Sequence, residues 1–87
     1  MNRSERIRFI LTENLHPGHL EVRDESHKHI GHPGARPGGE THYEIIIKSR
    51  GFNGMSRVER HQAVYKLLAD ELKTGLHAVR IQADSEG

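Results

Sequence analysis

Three histidines crowd into His27-Lys28-His29-Ile30-Gly31-His32, out of eight in a chain of 87 residues that has no cysteine. Imidazole titrates near neutral pH and is the commonest protein metal ligand, so this excess points to site chemistry. The missing cysteines exclude a self-contained thiolate metal site, a disulfide framework and a cysteine nucleophile. Two or three imidazoles leave a tetrahedral metal ion short of ligands, which must come from water or a partner. The chemistry therefore favours a shared site over a private one, and Rieske centres show a two-iron cluster held by histidine and cysteine together.

The remaining histidines fall in different settings. His16 and His19 flank Pro17-Gly18 in a turn and read as solvated. His42 lies on the more polar face of a strand, at the mouth of the histidine loop, where it reads as half-exposed with a role in a site left open. His61 sits on the apolar stripe of a helix, where a buried imidazole donates one ring hydrogen to a carbonyl. His77 opens a strand just after Gly75, at a sheet margin from which a side chain can project toward a ligand.

These positions need elements to hold them. Ile7, Ile10 and Leu11 have helical spacing within Ser4 to Leu15, Asn2 and Glu5 form a capping pair, and His16-Pro17-Gly18 stops the helix. Leu20 to Arg23 alternates apolar with charged and predicts a strand. Thr41 to Ser49 predicts a second, with Tyr43, Ile45 and Ile47 on one face and His42, Glu44, Ile46 and Lys48 on the other. Between them Asp24 to Glu40 is several times longer than a hairpin loop and rich in glycine and proline, which marks it as functional or disordered. Gly51-Phe52-Asn53-Gly54 is a turn. Ser56 and Glu59 make a capping box for a helix whose stripe is Val58, His61, Val64, Tyr65, Leu68 and Leu72, closing at Lys73 and Gly75. Leu76 to Ala83 is a third strand, able to pair parallel to the second, and Asp84 to Gly87 should fray. The expected fold is a single α+β domain over residues 1–87, in two layers, with the order α-β-β-α-β, a three-stranded sheet and helices on one face.

Composition sets outer bounds. Hydrophobic residues make up 33% and charged residues 29%, lean but sufficient because the apolar residues cluster in periodic segments. No apolar run approaches a membrane span and the charged N-terminus lacks a signal-peptide core, so no membrane association and a cytoplasmic location are expected. A net charge of +1 does not announce a nucleic-acid binder.

Across nearly the whole chain the arrangement resembles the BolA family. The matching residues are Val22-Arg23-Asp24-Glu25-Ser26 before the histidine loop, Gly39-Glu40-Thr41-His42-Tyr43 entering the second strand, Ser49 with Phe52-Asn53-Gly54, Arg60-His61, Asp70-Glu71-Leu72 and Leu76-His77-Ala78-Val79. The resemblance implies a class II KH-like fold and a protein that is not an enzyme but a partner of monothiol glutaredoxins in iron-sulfur cluster trafficking and iron homeostasis. In such a pairing a [2Fe-2S] cluster is shared: the glutaredoxin and its bound glutathione supply cysteine sulfur, and the BolA-like chain supplies two ligands. Matched motif by motif, these fall on His77 and on His29, with His27, His32 and His42 as alternates. No cluster is expected on the isolated chain, which should be a monomer or a weak homodimer.

Two other functions compete. A DNA-binding transcriptional regulator would use the KH-like fold with Lys48, Arg50, Arg57, Arg60 and His61, which concentrate cationic side chains around the start of the second helix. A metal buffer would bind zinc or nickel through the loop histidines alone.

Overall fold

The computed structural model describes residues 2–26 and 41–86. Helix α1 (Arg3–Leu15) starts where Asn2 Oδ1 accepts the Glu5 amide at 2.9 Å, and ends where His16 turns into the left-handed region at φ 44°. Ile7 and Leu11, one turn apart, carry its buried face. Strands β1 (His19–Asp24) and β2 (His42–Ser49) pair antiparallel with Leu20 opposite Ile47 and Val22 opposite Ile45. A 3-10 turn at Arg50–Phe52 drops Phe52 into the core, and Gly54 supplies the positive φ of 81° that follows.

Ser56 and Glu59 form the expected reciprocal capping box at the start of α2 (Arg57–Leu67). The expected single helix is instead two: a turn at Leu68 separates α2 from α3 (Ala69–Lys73). Val64, Leu68 and Leu72 of the expected stripe pack in or against the core, but Val58 and Tyr65 do not. Val64 and Leu68 are fully buried, with Ala63 and Leu67 packed beside them, whereas Val58 is 64% and Tyr65 41% exposed. The 3.6-residue repeat leaves the width of the apolar face open, and the sheet lies against the part of it centred at Val64.

Strand β3 (Ala78–Ser85) pairs parallel to β2, giving the sheet order β1-β2-β3. It begins and ends two residues later than expected, because the amides of His77 and Ala78 both reach the Thr41 carbonyl, at 2.8 and 3.1 Å, before the ladder starts. The expected fraying therefore does not begin at Asp84, which pairs with Lys48, or at Ser85, which pairs with Ser49. α1 packs on β1 and α2 on β3, so the helices cover one face of an α+β two-layer domain around Tyr43, Ile45, Ile47 and Ala83.

An ion cluster ties the two ends of the helical layer together. Arg3 Nη1 lies 2.8 Å and Arg6 Nε 2.9 Å from the carboxylate of Glu71, which is buried. The Arg6 guanidinium, with Arg3 behind it, holds the Glu71 carboxyl below the usual carboxylate range against the opposing pull of burial. Among the described residues no helix is long and apolar enough to cross a membrane.

Candidate functional site

Thr41 is the hub of the one place among the described residues where two histidines meet. Its carbonyl takes the amides of His77 and Ala78, its own amide donates to Ser26 Oγ at 2.9 Å, and its hydroxyl lies 2.9 Å from His42 Nδ1. Ser26 Oγ also accepts the His42 amide at 3.1 Å and sits 3.3 Å from the Thr41 hydroxyl. Asp24 Oδ1 accepts the Ser26 amide at 2.9 Å, and Glu25 N donates to the His42 carbonyl at 2.7 Å. β1, β2 and the entry to β3 are thereby fixed to one another at a single point.

This geometry aligns His42 and His77. Their ring centroids are 5.3 Å apart with planes inclined at 55°. His77 is exposed, as a margin position predicts. His42 is not half-exposed as expected: it retains 7% of its surface, with Nδ1 against the Thr41 hydroxyl and its ring beside that of His77. Ser26, 3% exposed, and Thr41, 1% exposed, escaped the sequence reading as site residues. Their signal was present: short hydroxyl side chains flank the glycine-rich loop on both sides, where such side chains bond neighbouring backbone.

His27, His29 and His32 lie outside the described residues. Among the described residues no group of three or more histidines and carboxylates is gathered to hold a metal ion. What the site offers is two imidazoles, one of them facing solvent. That donor set fits the histidine side of a cluster whose sulfur ligands come from elsewhere, and among the described residues it does not complete a private site.

A cleft of about 690 Å³ between α2 and β3 is lined by Arg57, Arg60, Arg80 and His61 together with Glu44 and Asp84; Lys48 and Arg50 are not part of its lining. Arg60 is committed to the fold: Nε donates to the Ala83 carbonyl at 2.6 Å and Nη1 to the Met55 carbonyl at 2.9 Å. Tyr65 does the same for the Val79 carbonyl at 3.1 Å. His61 is half-buried on the rim and is not the enclosed core histidine expected. The open sheet face carries a ladder of paired charges, with Arg23 3.2 Å and Arg80 3.7 Å from Glu44.

A profile for the BolA-like protein family matches residues 11–87. The chain is 48% identical over 82 residues to the chloroplastic protein BOLA1 of Arabidopsis thaliana, covering 92% of this chain and 51% of that protein, so it spans about half that relative's length. It is 47% identical over 88 residues to an uncharacterized protein in the cobS 5' region of a Sinorhizobium species, covering 100% of this chain and 95% of that protein. Among solved structures, the BolA domain of SufE1 from Arabidopsis thaliana superposes with a TM-score of 0.89 at 46% identity, over 99% of this chain and 94% of that one. None of these names denotes an enzyme.

Proposed function

The chain belongs to the BolA family, and from that premise we propose that it works as the histidine-donating partner of a monothiol glutaredoxin, sharing a glutathione-dependent [2Fe-2S] cluster with it. The observation that carries this reading is the exposed His77 ring packed beside His42 at the point where Ser26 and Thr41 clasp the two ends of the histidine loop. Three residues of chain span at most about 11 Å, so the covalent link from Ser26 keeps His29 within reach of this site. His27 and His32 are the alternates for the loop ligand.

The absence of cysteine supports the same division of labour, because all sulfur ligation must then come from the glutaredoxin and glutathione. In this reading His77 and His29 hold the cluster, and the hydroxyl clasp keeps their two segments together. The cluster is cargo or signal, held between two proteins and not enclosed in one. The relative whose BolA domain forms part of SufE1 supports a setting in iron-sulfur chemistry.

The test is reconstitution: the chain mixed with a monothiol glutaredoxin, glutathione, iron and sulfide should give a visible spectrum distinct from that of the glutaredoxin alone. A spectrum identical with and without the chain would refute the reading.

A further inference from the structure

We propose that the outer edge of β3 is a self-complementary pairing surface for a second copy of this chain, and that Tyr65 and Arg60 of α2 hold it closed. Its pairing is independent of the shared-cluster reading above.

β3 is a border strand of the sheet, with β2 as its one neighbour among the described residues. In a parallel pair, alternate residues of such a strand turn both backbone groups away from the neighbour. The Ala78 amide points inward, to the Thr41 carbonyl, so the outward set is Val79, Ile81, Ala83 and Ser85. The strand is eight residues long and free of proline, the kind of edge that recruits another strand unless something blunts it. Two of its outward carbonyls are taken by side chains of α2. The Tyr65 hydroxyl donates to Val79 at 3.1 Å and Arg60 Nε to Ala83 at 2.6 Å, close to the distance at which the N–H of an incoming strand would bond. Ile81 lies between them, and the cleft of about 690 Å³ opens along residues 79–84.

The charges of β3 choose the occupant. A two-fold axis at Gln82 sets two copies antiparallel, with Arg80 opposite Asp84 of the second copy and Asp84 opposite its Arg80. Both ion pairs fall at non-hydrogen-bonded positions, where facing side chains come closest. Ile81 then faces Ala83 of the second copy and Val79 faces its Ser85, so every outward backbone group finds a partner once the two guarded carbonyls are released. An axis at Ile81 would instead set Arg80 against Gln82 and Asp84 against Ala78, with no opposite charges face to face. The Arg80 side chain is 83% exposed, 3.7 Å from Glu44, and can turn to a new carboxylate. Tyr65 and Arg60 act from within the same chain, so they compete with the second copy however dilute the protein is.

The chain has no cysteine, so one introduced thiol reports the pairing. Gln82→Cys lies on the proposed axis, where facing Cα atoms are about 4.5 Å apart and within disulfide range. In a buffer of reduced and oxidised glutathione, Gln82→Cys alone should stay uncrosslinked, whereas adding Tyr65→Phe or Arg60→Met should give a disulfide-linked dimer. Without the thiol, the same two guard variants should self-associate about ten- to hundredfold more tightly than the unaltered chain in analytical ultracentrifugation. Tyr65→Phe removes one hydroxyl from an exposed ring, and so tests the guard apart from the larger structural cost of Arg60→Met. Asp84→Arg should abolish the dimer in either background. Guard variants that remain monomeric overturn the pairing surface, and an unaltered background that crosslinks as readily overturns the guard. A dimer that survives Asp84→Arg, or that crosslinks equally through Arg23→Cys on the opposite edge strand, overturns the proposed pairing.

Discussion

The rings of His42 and His77 lie 5.3 Å apart, yet one is buried against Thr41 and the other is open to solvent. Removing them should therefore have opposite consequences. His77→Ala takes away an exposed side chain and should leave the midpoint of a urea unfolding curve unchanged within error. His42→Ala removes the ring partner of the Thr41 hydroxyl and opens a void, and should cost about 1–3 kcal/mol. Equal losses from the two substitutions would contradict the assignment of one ring to the site and the other to its support.

Glu71 should be the acid-sensitive point of the fold. Its carboxyl, bound by Arg6 and Arg3, has a folded pKa below the unfolded value, so its stabilisation is complete above the ordinary carboxylate pKa of about 4.3. That stabilisation is lost as pH falls through the lowered folded value. Stability measured from pH 7 downward should fall in that acid window, and Glu71→Gln should flatten the fall. At neutral pH Glu71→Ala, which leaves the buried Arg3 without its carboxylate, should cost about 3–5 kcal/mol.

Arg60 should behave as a structural residue. Its guanidinium closes the Ala83 and Met55 carbonyls at the exposed edge of β3, and Arg60→Ala should cost about 1–3 kcal/mol in thermal or denaturant unfolding. Binding to a DNA duplex that falls steeply with salt and disappears in Arg60→Ala, with stability retained, would contradict this and revive the nucleic-acid reading.

The fold was largely legible because its elements announce themselves by period and cap. Tyr43, Ile45 and Ile47 alternate on β2, and Ser56 with Glu59 caps α2 as written in the sequence. What stayed hidden depends on contacts between distant residues. That the helix buries Val64 and Leu68 but leaves Val58 and Tyr65 exposed is decided by where the sheet lies, and the late start of β3 by two amides sharing the Thr41 carbonyl. The exposed position of His77 was legible from its place just before a strand. The burial of His42 was not, since its ring lies against His77, 35 residues away in sequence. His27, His29 and His32 remain assignments from sequence alone.

The loop ligand can be separated from its neighbours by substitution. In the mixed complex His29→Ala should shorten the lifetime of the cluster more than His27→Ala or His32→Ala does, followed by the decay of visible circular dichroism. Equal, small effects of all three would place the second ligand elsewhere.

The most direct measurement is nitrogen coupling to the cluster in the reduced glutaredoxin complex, read by pulsed electron paramagnetic resonance with the unaltered chain and with His77→Ala. The account predicts coupling from ligating imidazole nitrogen in the first and its loss or marked reduction in the second. Coupling absent from the unaltered complex, or identical in the two, would contradict it.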